Sequence, residues 1–283
     1  MANETTNTTL DDLFENITAE AIFTFQDVGV VRNLVTMYPI TGSGKVVDIP
    51  IYPTVSAAAV AEATDLTNSA VSTSNATITV GEKGIMATLT DMARNTASRN
   101  VGADLGRLFG EAIAKKVDVD LIALFSDFAS GNDLGSAGTE LTADLLFKAQ
   151  ATLRSGGVPA PYSAVFHPKA LFNLKKTLTQ AGYAGTATAI SDVGNNILNS
   201  GYVGTVAGID VYEDANFTIN AYDDISGGVF HSSSIGLAMK QEFKIEAQRD
   251  ASMRADELVA TVVYGVGIAK DANGCTVIVD SAL

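Results

Sequence analysis

The sequence predicts an α+β protein, on three observations. One helical period runs unbroken through residues 101–128, where Val101, Leu105, Leu108, Phe109, Ala112, Ile113, Val117, Leu121, Leu124, Phe125 and Phe128 recur at three- and four-residue steps. The middle of the chain alternates between helical and strand-like patterns, and the last third is a succession of strands. Hydrophobic residues make up 47% of the 283, enough to fill one large core or two modest ones, so the chain is globular.

Taken in order, residues 10–25 place Leu10, Leu13, Phe14, Ile17, Ala21, Ile22 and Phe25 on one helical face, with Asp11, Asp12, Glu15 and Glu20 between them and Thr8 or Thr9 as N-cap. This is an amphipathic helix with a buried stripe. Residues 34–40 (LVTMYPI) and 46–52 (VVDIPIY) read as strands, and the glycine-rich stretch between them has the composition of a hairpin turn. Residues 53–74 are Ala, Thr, Ser and Asn with few large apolar side chains. So long a stretch with so little to bury is an arm leaving its own domain or, alternatively, a flexible surface insertion. Alternation returns at residues 76–80, residues 85–91 form another strand, and residues 91–100 are polar with a helical start. The long helix follows, with Asp104, Arg107, Glu111, Lys115 and Asp118 on its polar face and Glu111 and Lys115 at ion-pair spacing.

Residues 130–138 (SGNDLGSAG) break this pattern and mark the internal boundary of the chain. Beyond it, residues 141–153 read as a helix, 162–166 as a buried strand, and 167–178 as a second helix with Pro168 in its first turn. Residues 182–204 are loop-rich, 207–213 and 228–231 are strands, and 240–248, 258–269 and 275–280 are strands expected to return to the long helix. There is no internal repeat.

Composition narrows the chemistry. A net charge of −14 with only 18% charged residues disfavours a surface that grips phosphates, which needs clustered Lys and Arg. The single cysteine, Cys275, lies in an alternating apolar run and is predicted to be a buried core residue. The N-terminus lacks a basic start and an apolar segment, so no secretory signal is expected, and no apolar run reaches the roughly 20 residues of a membrane span. Without a secretory route, the N-x-[ST] triplets are chance products of a Thr- and Asn-rich chain. Gly42-Ser43-Gly44-Lys45 imitates the end of a P-loop, but Pro39 and Val46 occupy the positions of its first glycine and its Ser/Thr, and a strand follows. His167 and His231 have no Cys or His at metal-ligand spacing, and neither joins a nucleophile motif. The acids Asp210, Glu213 and Asp214, and Asp223 with Asp224, lack a calcium-loop ladder and read as turns and solvated faces. No catalytic, cofactor or metal residue is predicted.

Residues 201–217 (GYVGTVAGIDVYEDANF), the strands of residues 227–282 with their YGVGIAK segment, the extended stretch at 41–84 and the long helix at 101–128 together resemble the tailed-phage major capsid proteins, whose Johnson fold is shared with encapsulin shells. The resemblance covers most of the chain, in the expected order. It implies an N-terminal arm (1–33), an extended β loop (34–84), a peripheral domain with a long spine helix (85–129 and 232–283) and a mixed α/β axial domain (130–231). It implies a shell built from hexamers and pentamers around double-stranded DNA that is packaged without sequence-specific recognition. The partners implied are a separate scaffolding protein, a portal and a decoration protein, with assembly in the host cytoplasm and residence in the virion. Glu62 and Asp65 on the arm are expected to meet Arg249 or Arg254 of a neighbouring subunit. An encapsulin-type compartment and a soluble α/β ligand-binding domain are the alternatives.

Overall fold

In the computed structural model of the protein the described residues are 21–22, 24–25, 29–53, 55, 57, 59–60, 62, 65, 71–96, 101–179 and 204–282. Of the predicted N-terminal helix, Ala21, Ile22, Thr24 and Phe25 are helical, and residues 10–20 lie outside the described set, as do residues 182–203 of the loop-rich stretch. The chain begins with β1 (Thr36–Pro39), β2 (Val46–Ile51), β3 (Ser74–Thr79) and β4 (Gly81–Thr90), followed by α1 (Asp91–Thr96) and α2 (Val101–Ala123). Then come β5 (Leu134–Gly135), α3 (Ala143–Ser155), β6 (Tyr162–Phe166) and α4 (Pro168–Thr179). The strands β7 (Thr205–Val206), β8 (Ile209–Glu213), β9 (Asp224–Phe230), β10 (Ile235–Asp250), β11 (Ala255–Ile268) and β12 (Gly274–Asp280) complete it. The α+β class is the observed one.

Three sheets form. Four strands in the order β1-β10-β11-β4 make the first, six in the order β5-β12-β9-β6-β8-β7 the second, and β2 with β3 a separate two-stranded ribbon. The predicted hairpin between β1 and β2 is therefore corrected. β1 lies parallel to β10, from Thr36 opposite Gly236 to Pro39 opposite Met239, while β2 pairs antiparallel with β3. The cause is burial: Val47 and Ile49 pack with Ile78 and Val80, a partnership that β1 does not offer. Pro39, which lacks an N–H, sits in an edge strand where none is needed.

The expectation for the C-terminal strands is corrected as well. β10 and β11 do return to the long helix, but β12 leaves the four-stranded sheet and pairs with β9 and β5 in the other. Alternation alone makes a strand buried on one or two faces and does not choose its sheet.

α2 touches both large sheets. Phe109, Ile113, Val117 and Leu121 form one cluster with Leu258, Ala260, Val262 and Tyr264 of β11, one side chain in two along that strand. The helix ends sooner than its periodicity predicts: residues Leu124–Asp127 form a tighter 3₁₀ turn. The Phe125 carbonyl accepts a hydrogen bond from the Thr276 hydroxyl at 2.8 Å, which ties this turn to β12. Phe125 stacks within 5.3 Å of Phe230 and 6.1 Å of Phe128, placing an aromatic cluster on one face of the six-stranded sheet. The opposite face of that sheet is covered by Leu145, Leu146 and Leu153 of α3 and Leu171 and Leu174 of α4, packed on Ala164, Phe166 and Val229. Cys275 is buried in the same cluster, as expected.

On the side of β10 and β11 away from α2, β3 crosses at very short range. A Cβ on Gly265 would lie 2.3 Å from the Thr79 carbonyl oxygen, so only glycine lets the two backbones meet. Replacing Gly265 with Ala is expected to cost about 1–3 kcal/mol, from overpacking against backbone that cannot give way. Gly44→Ala, where a Cβ meets nothing within 4 Å, should stay within about 0.5 kcal/mol of wild type. Denaturant midpoints of the two variants test this, and equal midpoints would refute the close-crossing account.

Candidate functional site

Two kinds of site are testable in the structure: a pocket for chemistry, or surfaces for association. The residues with chemical potential diverge. Asp210 accepts from the Thr205 hydroxyl, Glu213 pairs with Lys175 at 3.2 Å, and Asp224 accepts from the Gly138 N–H at 2.8 Å. Asp223, with φ of 62°, supplies its carbonyl to Ser281. Among the described residues no group of three or more His, Cys, Asp or Glu is arranged to hold a metal. His167 accepts the Lys169 N–H on Nδ1 and stands edge-on to Phe217, and desolvation followed by the Lys169 charge lowers its affinity for a proton. His231 Nδ1 is engaged with Ser233 two residues on, a local turn. The Gly42–Lys45 loop presents the Gly44 carbonyl to the Lys240 ammonium at 2.6 Å, a polarity opposite to that of a phosphate cradle.

An open groove of about 510 Å³ runs between α2 and the β8–β9 connection, lined by Ile122, Ser126, Phe217, Asn220, Asp224 and Ile225. Its Asn220 and Asp224 satisfy one another and their own turn. Burial, followed by the Asp133 charge, pushes the Cys275 thiol up to about 12, which keeps it out of nucleophilic chemistry at neutral pH. No helix among the described residues is long and apolar enough to cross a membrane.

Association surfaces are better developed. Between β2 and β3 the chain displays Tyr52, Val55, Val60 and Val71, all more than half exposed, with Glu62 and Asp65 exposed beside them. A β2–β3 ribbon anchored at its base by Ile78, with apolar side chains held out along the connection, has the form of the predicted arm. The distal half of β10 is mostly exposed, and the turn that follows it carries exposed Met253 and Arg254. Asp250 closes its turn by accepting the N–H groups of Ser252 and Met253, and Arg254 has a φ of 50°. On the helices that cover the six-stranded sheet, Phe147 of α3 and Phe172 of α4 are each about half exposed.

The four predicted contact residues fall on these two appendages, Glu62 and Asp65 on the arm and Arg249 and Arg254 at the ribbon end. No ion pair among the described residues joins them within one chain. Arg249 instead grips Asp91 through two hydrogen bonds of 2.6 and 2.8 Å and Asp256 through a third of 3.0 Å, which raise its proton affinity further.

Asp118 was expected on the polar face of α2 and is instead 1% exposed. Its carboxylate accepts the N–H of Val30 at 3.1 Å and of Arg32 at 3.3 Å, fastening the 3₁₀ turn Val31–Leu34 to the helix. Burial, and then the charge of Asp214, push its carboxyl up to about 6 against those donors. Its position four residues after Ala114 and three before Leu121 puts it on the flank of the apolar stripe, the one signal in the sequence that it is buried. The ion pair on the exposed side of α2 is Lys116 with Asp120 at 2.6 Å, while Glu111 and Lys115 both stand in solvent.

The fold agrees with that of known proteins. A family model described as phage capsid protein matches residues 73–278. No curated protein matches the chain. Among solved structures, the capsid of cyanophage P-SCSP1u superposes with a TM-score of 0.70 at 19% identity, covering 90% of this chain and 89% of that one. The head of Helicobacter pylori bacteriophage KHP40 gives 0.69 at 12% identity, covering 90% and 92%. The SrpI encapsulin of Synechococcus elongatus PCC 7942 gives 0.65 at 12%, covering 89% and 88%. With the family match spanning well over half its length and the tailed-phage capsid fold throughout, the chain belongs to the phage capsid protein family and is a major capsid protein, a structural component of the virion.

Proposed function

We propose that the chain closes into an icosahedral shell around a double-stranded DNA genome, as hexamers and pentamers joined through their axial units and overlapped by their arms. The observation that carries this reading is the arm itself, whose apolar side chains Tyr52, Val55, Val60 and Val71 stand exposed among the described residues and are suited to cover by a neighbour. The shell is assembled in the host cytoplasm on a separate scaffolding protein and is completed by a portal and a decoration protein. An acidic subunit, with a net charge of −14, supports a wall that does not adsorb the polyanion inside it. The function is mechanical, with no catalytic step. The units of this design are an N-terminal arm at 1–33, an extended loop at 34–84, a peripheral unit at 85–129 and 232–283, and an axial unit at 130–231, with β12 counted to the axial sheet.

Particle mass and shape test this directly. Purified protein, alone or with its scaffold, is expected to give closed polyhedral particles by light scattering and negative-stain microscopy, containing nucleic acid when taken from infected cells. A uniform species of one to six subunits that never closes would overturn it, and particles filled with protein cargo in place of DNA would assign the chain to the compartment class.

At the arm, Glu62 and Asp65 meet Arg254 of the neighbouring subunit, because Arg249 is already held by Asp91 and Asp256 of its own chain. Glu62→Arg combined with Asp65→Arg, or Arg254→Glu alone, should each weaken the contact by about 1 kcal/mol, repeated at every subunit. Particle yield should fall in both variants and return when all three changes are combined. Failure of the combination to restore yield counts against this pairing and leaves the shell reading intact.

A further inference from the structure

Charge is sorted across the six-stranded sheet. Between residues 117 and 239 the only Lys and Arg residues are Lys148, Arg154, Lys169, Lys175 and Lys176. All five stand on α3 and α4, the two helices that cover one face of the sheet. Those helices carry a single acid, Asp144, which pairs with Lys148 at 3.4 Å, and Glu213 reaches Lys175 from β8. On α3, Phe147, Ala151 and Arg154 lie along one outward stripe, and on α4 Lys169, Phe172 and Lys176 lie along another. Half-exposed phenylalanines among cations have the composition of an interface, where aromatic residues and Arg are enriched.

The opposite face has the complementary character. In β12, Val277 and Val279 turn toward α3 and α4, while Ile278 between them lines the open groove beside α2, so the groove and the two helices lie on opposite sides of the sheet. The groove walls are apolar, with Val119, Ile122 and Phe217. Its rim is acidic: Asp127 follows the lining residue Ser126, Asp223 precedes the lining residue Asp224, and both rim acids are exposed. Tyr222, 84% exposed, stands next to Asp223. On α2 the cations stop at Lys116, which is paired with Asp120.

We propose that these two faces meet between copies of the chain: the basic, aromatic α3–α4 layer of one subunit docks head-to-tail on the acidic rim and apolar groove of the next. This contact rests on the reading that subunits join in rings through their axial units, and it names the surfaces that join. Charge selects a second copy as the partner, because the same chain carries both the basic layer and the acidic, apolar surface that complements it. Two α3–α4 layers facing each other would set five cations against five, so a symmetric pairing through the helices is disfavoured. A contact between different surfaces on opposite sides of a sheet does not end with a pair; it repeats from copy to copy until a ring closes.

Sedimentation of the full chain, under the conditions in which wild type assembles, reads the contact out. Arg154→Glu with Lys169→Glu inverts the helix layer, and Asp127→Lys with Asp223→Asn strips the groove rim while leaving at 223 a residue that tolerates its φ of 62°. Each of these variants alone should associate at least about tenfold more weakly than wild type. Mixed in equal amounts they should associate again, because the intact rim of one meets the intact helix layer of the other. Phe172→Ala leaves every charge in place, should weaken association about fivefold or more, and carries the test if a charge variant does not fold. Wild-type assembly by the rim variant or by Phe172→Ala, or a mixture of the two folded charge variants that stays apart, would overturn the head-to-tail contact and leave the ring reading intact. Wild type that forms neither rings nor shells would overturn both. Binding of wild type to duplex DNA that the helix-layer variant loses while assembling normally would assign the layer to nucleic acid and overturn the contact as well.

Discussion

The structure depends on a single helix serving two sheets that do not pair with each other. α2 lays its apolar stripe along β11 and then, at its C-terminal end, hands Phe125 and Phe128 to the strands of the other sheet. Each phenylalanine buried this way contributes roughly 1.5–3 kcal/mol, and stacked neighbours add about 0.5–1.5 kcal/mol more. The contact is as close as it is because the strands beneath carry glycine. A Cβ on Gly228 would sit 2.7 Å from the Phe125 ring, and one on Gly274 would sit 2.3 Å from that of Phe128. The rings therefore lie against bare backbone, and the early change from α-helix to a 3₁₀ turn is what aims them there.

The same device recurs on the far side of the ribbon, where Gly265 admits β3 and Ile78 fills the space between Gly236 and Gly267. Helix on one side and the β3 crossing on the other enclose the first part of β10; beyond Met239 most β10 residues are exposed, while β11 stays paired with β4 and keeps Leu258 and Ala260 in the core cluster. Register shifts near Gln241 fall at this change from covered to uncovered sheet. Irregularities of that kind bend and twist a strand pair.

Most elements were legible from periodicity: the long helix, the buried strand YSAVF, the helix opened by Pro168 and the strand containing Cys275 fall where the pattern places them. Partnership was not legible. The period of two that makes β1, β2 and β12 strands says nothing of which edge each will join, and β1 finds its neighbour 200 residues away in β10. Asp118 failed for a related reason. An acid on the flank of a helical stripe is solvated unless another segment covers it, and the covering turn comes from residues 30–34, which the helix's own sequence does not contain. The arm was legible as a lack of anything to bury, whereas its valines and Tyr52 gain meaning only once the structure leaves them exposed.

A capsid subunit needs its internal stability to be independent of its neighbours, and its neighbour contacts to be independent of its core. The two requirements are separated here. The aromatic end of α2, the glycine seats and the helices on the six-stranded sheet hold one body together with contacts internal to the chain. The connection between β2 and β3 and the β10–β11 turn at residues 251–254 carry exposed side chains outside that body. Arg249 marks the division: tied to Asp91 and Asp256, it holds the ribbon to the start of α1 from within, and it leaves Arg254, five residues on, to face outward. Two cations at nearly the same place thus differ in setting, one closing the subunit from within and the other exposed at the turn.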